Sequence, residues 1–348
     1  MNQNQSAPIL TDLILKVAYG GTKNEPKFSS SITNYTLNVQ SDISIISISP
    51  FCEPDNKITI NNTPVKSGES LQHELNPGNN YVDIIVSDDA GQNKKYSLLV
   101  IREDIQPIID KFQKLEYTDN ETKVTLKYNL FVPDDYNKDT AYPLVLFLHG
   151  ANSRGNDNIS ILTSNEGAII WAKESEQQKR PCIVLAPQCP AEKGWISLMQ
   201  KGWEDPYKPT AELDTVYNLL LEILKQYNID KSRLYSTGLS MGGFGTFALN
   251  IKHPEIFAAM VIVCAAADTS AIKAIAEKPI WVFTAQEDPS VHVEYVEKTI
   301  NALKEAGLSP RYTEYPIGTF FYPTAHYSWV AAYANEEMRK WLFEQKLV

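Results

Sequence analysis

The sequence predicts an α/β domain preceded by a small all-β domain, and three observations support this. From residue 104 onward, short apolar runs alternate with longer helix-like segments, which is typical of a mostly parallel sheet covered by helices on both faces. The first 103 residues instead contain short runs of period two separated by turn residues. A Gly-X-Ser-X-Gly sequence at 238–242 lies between a strand-like run and a helix-like run. We therefore expect domains at 1–103 and 104–348.

Length and charge narrow the possible functions. The chain has 348 residues, more than a typical single domain, and a net charge of −10 without any basic block. Nucleic acids and anionic membranes are therefore not expected as partners, and no apolar run reaches the roughly 18 residues that span a bilayer. The N-terminus lacks the features of a signal peptide, which fits a cytoplasmic protein and equally a mature secreted form. Of the two, we expect the mature secreted form.

The N-terminal region is expected to be an antiparallel β-sandwich of the immunoglobulin type. Its strand-like runs are 13–17, 35–39, 43–48, 57–60, 81–86 and 96–101.

Four cysteines occur in the whole chain, and their spacing matches neither a metal site nor a disulfide framework. We therefore expect no metal and no other cofactor.

The Gly-Leu-Ser-Met-Gly segment carries the strongest chemical signal. A serine on a sharp turn between a strand and a helix is exposed as a nucleophile, and glycines two residues away on each side permit the tight turn. Ser240, between Gly238 and Gly242, is therefore predicted to be the nucleophile.

A serine hydroxyl needs a base and an orienting carboxylate, which follow it in the chain order Ser, acid, His. Among the histidines after Ser240, His326 follows the last strand-like run and precedes the final helix, so it is the predicted base. Asp288 follows the strand-like run 279–285 and precedes a rigid proline, so it is the predicted acid. Asp268 is the alternative, although its sequence context favours a helix N-cap.

The oxyanion of the transition state needs backbone N–H donors. One is expected from Met241, directly after the nucleophile. The other is expected from Ala151, in the loop after the apolar run 143–148. His149 is expected to brace this loop rather than to react.

With these residues in place, the region from about Lys114 onward resembles α/β-hydrolases of the carboxylesterase type, in particular family 1 carbohydrate esterases. The resemblance is carried by His-Gly-Ala at 149–151, Ala-Pro-Gln-Cys-Pro at 186–190, the segment 237–245, Asp-Pro at 288–289 and His-Tyr-Ser-Trp at 326–329. It implies hydrolysis of carboxylic esters, including acetyl or feruloyl groups on plant cell-wall polysaccharide. The run 151–156 and the run 284–286 depart from the pattern of these relatives, which leaves the substrate open but not the reaction class.

Residues 13–102 resemble the cadherin-like, immunoglobulin-type modules appended to bacterial wall-active enzymes. The resemblance is carried by Phe-Ser at 28–29, the segment 75–79 and the last strand ending at Arg102. It implies a spacer, a wall-binding unit or a cover over an active site.

The substrate contacts are predicted from aromatic residues near the loops of the catalytic region. Rings there could stack on a sugar or on a feruloyl group, although packing within the loops is an equal alternative. The candidates are Trp195, Trp203, Phe321 and Trp329. The sequence therefore predicts a serine esterase that forms an acyl-enzyme on small or polysaccharide-linked esters. A serine peptidase with the same triad and a non-catalytic carbohydrate-binding protein are the alternatives.

Overall fold

The computed structural model describes residues 8–17, 27–197, 208–320 and 324–347. These residues form two compact units. One contains the chain up to Ile105 together with Phe320, and the other runs from Gln106 to Thr319 and resumes at Thr324.

The first unit is a β-sandwich, as the sequence predicts. Its strands are β1 (Leu10–Lys16), β2 (Asn34–Val39), β3 (Ile45–Cys52), β4 (Lys57–Ile60), β5 (Thr63–Val65), β6 (Leu71–Glu74), β7 (Gly78–Ser87) and β8 (Asn93–Arg102). Within the described residues, one sheet has the order β1-β3-β6 and the other the order β2-β8-β7-β4-β5. Every second side chain of β7 is buried, including Val82, Ile84 and Val86, because successive side chains of a strand point to opposite faces.

One strand pairing differs from the predicted antiparallel sandwich. β2 runs parallel to β8, with Tyr35 opposite Leu98 and Leu37 opposite Val100. Parallel neighbours need a long connection, and here the chain forms β3 to β7 before it returns as β8. Period-two alternation is the same for both strand directions, so the sequence pattern could not distinguish them.

The second unit contains a mixed sheet. Its strands are β9 (Gln113–Thr118), β10 (Thr125–Phe131), β11 (Tyr142–Leu148), β12 (Ile183–Gln188), β13 (Ile229–Leu239), β14 (Ala259–Val263), β15 (Ile280–Ala285) and β16 (Arg311–Tyr315). Among the described residues their order is β9-β10-β12-β11-β13-β14-β15-β16, and β10 is antiparallel to both of its neighbours while the others pair in parallel. β11, β12, β14 and β15 are buried along their whole length, as expected for strands covered on both faces. The sheet confirms the predicted fold class.

The helices of this unit are α1 (Gln106–Ile109), α2 (Ser160–Thr163), α3 (Glu174–Gln177), α4 (Ala211–Gln226), α5 (Met241–Lys252), α6 (Val293–Glu305), α7 (Trp329–Ala334) and α8 (Glu336–Glu344). α4 begins directly after Thr210, whose hydroxyl caps the helix by accepting the N–H of Leu213 at 3.3 Å. Among the helices of the described ranges, none has both the length and the apolar character needed to cross a bilayer.

The parallel order explains how distant residues come together. β13 pairs with β11 on one side and with β14 on the other, and β14 pairs with β15. The carboxyl ends of parallel strands lie at one edge of a sheet, so the loops after β11, β13 and β15 meet there. These loops carry Gly150, Ser240 and Asp288.

Candidate active site

Ser240 occupies the sharp turn between β13 and α5. Its backbone has φ 51° and ψ −124°, a conformation that non-glycine residues rarely adopt. A Cβ on Gly238 would lie 2.3 Å from the Gly242 carbonyl oxygen, and a Cβ on Gly242 would lie 1.8 Å from the Leu148 carbonyl oxygen. Glycine is therefore required on both sides of Ser240, because any side chain would collide with backbone.

Ser240, His326 and Asp288 form a continuous chain of hydrogen bonds. The Ser240 Oγ lies 2.9 Å from His326 Nε2, and the Asp288 Oδ2 lies 2.8 Å from His326 Nδ1. A carboxylate only accepts hydrogen bonds, so Nδ1 donates to Asp288 and Nε2 of the neutral ring accepts the serine hydroxyl. The geometry can therefore transfer the hydroxyl proton to the ring.

Asp288 is fixed before it contacts the histidine. Its Oδ1 accepts the backbone N–H groups of Ser290 at 2.8 Å and of Val291 at 2.9 Å, and its side chain is fully buried. The alternative acid, Asp268, has its Oδ1 bonded to the backbone N–H and the hydroxyl of Ser270, within its own loop. The structure thus joins His326 to Asp288.

The environment of His326 favours its charged form. Burial disfavours the imidazolium, but Cys264 and then the Asp288 carboxylate outweigh burial and raise the pKa of His326. The ring also packs edge-on against Trp329, with the ring centroids 5.4 Å apart. His326 is therefore held on several sides while its Nε2 faces Ser240.

The predicted oxyanion donors lie next to Ser240. Met241 is the first residue of α5, and Ala151 begins a 3₁₀-helix (Ala151–Ser153) after β11. A Cβ on Gly150 would lie 3.5 Å from the Cβ of Ser240, so the backbone leading to Ala151 passes directly beside the serine. The two predicted N–H groups therefore belong to the two backbone segments that lie next to Ser240.

His149 stabilises this loop through hydrogen bonds, as the sequence predicts. Its Nε2 accepts the backbone N–H of Cys189 at 2.9 Å, so Nδ1 carries the proton and donates to the Gly150 carbonyl at 2.6 Å. The ring is fully buried, and burial lowers the pKa of His149 to about 4. His149 is thus a neutral ring that holds the Gly150 peptide.

Gln188 ties the outer part of the same loop to β12. Its Nε2 donates to the Ser153 carbonyl at 3.1 Å and to Asp157 Oδ1 at 2.9 Å, and its Oε1 accepts the N–H of Asn158 at 2.9 Å. The Ala-Pro-Gln-Cys-Pro segment noted in the sequence therefore acts through Gln188 and the N–H of Cys189.

A cavity of about 570 Å³ opens over Ser240 and His326. Its lining includes the aromatic residues Tyr327 and Trp329 and five polar residues, which are Asn152, Ser153, Ser164, Asn165 and Ser290. Sequence reasoning did not single out Ser164 and Asn165, which follow the short helix α2. A polar pair after a one-turn helix gives too weak a signal to predict a place in the site.

The four predicted substrate contacts have different outcomes. Trp329 lines the cavity beside His326. Trp195 is fully buried and its indole N–H donates to the His149 carbonyl at 3.1 Å, so it supports the loop and has no surface to offer a substrate, contrary to the prediction. Trp203 and Phe321 lie outside the described residues.

One cluster in the site contains potential metal ligands. The Sγ of Cys264, a carboxylate oxygen of Asp288 and a ring nitrogen of His326 lie within 4.8 Å of one another. Both ring nitrogens of His326 are already hydrogen-bonded, to Asp288 and to Ser240. A cation here would have to break one of those bonds, so the donor set fits the hydrogen-bonded arrangement better than a metal centre.

Comparison with known proteins decides the family. Residues 120–331 match the model of the Esterase family, which is more than half of the chain. The chain belongs to this esterase family. Residues 10–103 of the esterase match a cadherin-like beta sandwich domain. The protein is therefore a carboxylic ester hydrolase with an N-terminal β-sandwich.

Solved structures agree with this assignment. The esterase is 32% identical to a thermostable esterase, with a TM-score of 0.67 over 90% of this chain and 99% of that one. It also shares its fold with a ferulic acid esterase (17% identity, TM-score 0.50, 67% of this chain and 99% of that one). An S-formylglutathione hydrolase from Staphylococcus aureus has the same fold (14% identity, TM-score 0.51, 67% of this chain and 98% of that one). No curated protein matches this chain.

Proposed function

We propose that the esterase hydrolyses carboxylic esters through a Ser240–His326–Asp288 triad and an acyl-enzyme. Ser240 Oγ attacks the acyl carbon while His326 Nε2 takes its proton, and the N–H groups of Met241 and Ala151 stabilise the oxyanion. The protonated His326 then donates its proton to the leaving alcohol. A water molecule, activated by the same nitrogen, releases the acid and restores Ser240.

The hydrogen-bond chain from Ser240 to Asp288 is the observation that carries this proposal. Its two links of 2.9 Å and 2.8 Å are within the range of good hydrogen bonds. Gly242 and Gly150 add independent support, because each permits the close backbone approach that an oxyanion site beside the serine requires.

The proposed substrates are acetyl or feruloyl esters of plant cell-wall polysaccharide, or small esters. The amide and hydroxyl groups of Asn152, Ser164 and Asn165 could hydrogen-bond the hydroxyls of a sugar, and the rings of Tyr327 and Trp329 could pack on an aromatic acyl group. The volume of about 570 Å³ is in the usual range for small-molecule pockets. The fold shared with a ferulic acid esterase is consistent with this choice.

The test combines an active-site probe with a substrate panel. A fluorophosphonate should label the wild-type protein at Ser240, and Ser240→Ala should remove labelling and lower kcat by at least about a thousandfold. Ser270→Ala, which changes an exposed serine away from the cavity, is the matched control and should keep both.

The panel should contain nitrophenyl acetate, methyl ferulate and acetylated xylan. Turnover of any of these by folded Ser240→Ala at more than a few per cent of the wild-type rate would refute the assignment. Turnover of nitrophenyl acetate alone would restrict the proposal to small esters.

A further inference from the structure

Cys264 occupies a central position among the strands that carry the triad. It directly follows β14, which lies between β13 and β15 in the sheet. The carbonyl of the preceding Val263 accepts the N–H of Ser240 at 2.9 Å, and the N–H of Cys264 donates to the Phe283 carbonyl at 2.8 Å. The backbone at Cys264 therefore connects the turn of the nucleophile to the strand that leads to the acid.

The backbone of Cys264 is strained. Its φ is 43°, in the left-handed region that favours glycine, and Ser240 at the end of the neighbouring strand has φ 51°. Backbone strain of this kind concentrates at functional sites. A glycine would relieve the strain, so the presence of a cysteine suggests that its side chain has a use.

The side chain of Cys264 lies close to Asp288 and His326. It is fully buried, and its Sγ belongs to the cluster within 4.8 Å that includes Asp288 and His326. The imidazole of His326 uses Nδ1 for Asp288 and Nε2 for Ser240, and the sulfur of Cys264 lies within 4.8 Å of this hydrogen-bonded group. Cys264 also contributes to the raised pKa of His326, which agrees with their proximity.

We propose that Cys264 is a positioning residue, whose buried sulfur keeps the His326 ring in line between Asp288 and Ser240. The proposal rests on the function proposed above. It assigns to Cys264 no bond to the substrate and no covalent step.

The proposal makes a directional prediction about pH. Among the described residues, the titratable groups that face His326 are Asp288, from the loop after β15, and Cys264, from the end of β14. If the sulfur favours the imidazolium, its removal lowers the pKa of the ring. The acid limb of kcat/KM should then move to lower pH, because the neutral base persists further into the acid range.

Cys264→Ala and Cys264→Gly test this prediction together. Both remove the sulfur, and the glycine variant also suits the left-handed backbone, so it should fold even if the alanine variant does not. Each should lower kcat about three- to tenfold with little change in KM, and should shift the acid limb down by about half a pH unit. Cys264→Ser, which retains a polar atom of similar size, should recover most of the lost kcat.

Cys182→Ala is the matched control, because Cys182 is also buried in this unit but contacts Gln177 rather than the triad. It should leave the pH profile unchanged. Folded Cys264→Ala and Cys264→Gly with the kcat and acid limb of the wild type would overturn the proposal. Fluorophosphonate labelling of Ser240 in the same variants checks the triad separately, so a failure of the proposed function is distinguishable from a failure at Cys264.

Discussion

The two histidines beside Ser240 have similar burial but opposite protonation behaviour. His149 is fully buried and His326 has 14% of its side chain exposed, and each uses both ring nitrogens for hydrogen bonds. The pKa of His149 falls to about 4, whereas that of His326 is raised. Burial acts in the same direction on both rings, so it cannot be the cause of the difference.

The hydrogen-bond partners of the two rings explain the difference between their pKa values. His149 bonds the neutral backbone groups of Gly150 and Cys189, which do not compensate for burial of a charge. His326 bonds the buried carboxylate of Asp288 and lies near Cys264. Histidine is thus a neutral structural residue in the loop after β11 and the predicted proton acceptor at Ser240, according to the charge of the groups that it contacts.

Giving His326 a neutral partner should produce the largest effect. In Asp288→Asn the ring loses its carboxylate and the tautomer that leaves Nε2 free is no longer selected. We expect kcat to fall by about a thousandfold or more, with the fold retained. Steady-state kinetics with a nitrophenyl ester measure this.

Asp268→Asn is the matched control for that variant, because Asp268 bonds only Ser270 among the hydrogen bonds found for its carboxylate. It should keep kcat within about threefold of the wild type. A larger loss in Asp268→Asn than in Asp288→Asn would mean that Asp268 is the acid.

The pH profile of the wild type should sharpen the comparison. The base must be neutral to accept the serine proton, and the pKa of His326 is raised, so neutrality is reached only at higher pH than for an ordinary histidine. The acid limb of kcat/KM should therefore lie above about pH 6.5. A limb well below that value would show that Asp288 and Cys264 do not outweigh burial.

The smallest effect concerns stability and His149. An unfolded histidine titrates near pH 6.5, whereas folded His149 titrates at about 4, so between these values the unfolded chain binds more protons. This contribution to stability is complete above pH 6.5 and is lost as the pH falls to 4, by about 3 kcal/mol in all. The glutamine in His149→Gln cannot titrate. The Tm of this variant should therefore fall less between pH 7 and pH 5 than the Tm of the wild type does.

The readout is the difference between the two acid-induced shifts in Tm, since all other groups are common to both proteins. His326 contributes with the opposite sign, because a raised pKa adds stability below pH 6.5 that is lost at higher pH. Equal shifts in His149→Gln and the wild type would show that His149 has the same pKa in the folded and the unfolded chain, which would contradict the lowered value.

The main strands of both domains and the residues around the serine could be predicted from the sequence. Alternation of apolar and polar residues predicts β7 and β8, and continuous apolar runs predict β11 and β15, because burial on one face or on two leaves different patterns. It missed β5 and β6, which are short and partly exposed. It could not give the direction of β2, since alternation is the same in parallel and antiparallel sheets.

The sequence by itself determined the fold class and the elbow at Ser240, because period and glycine spacing are local properties of the chain. Only the tertiary structure decided that His326 faces Asp288 rather than Asp268, that Trp195 is a buried support, and that Cys264 lies beside the triad. These outcomes depend on which strand ends become neighbours in the sheet. Such contacts join residues far apart in the chain, so no local pattern records them.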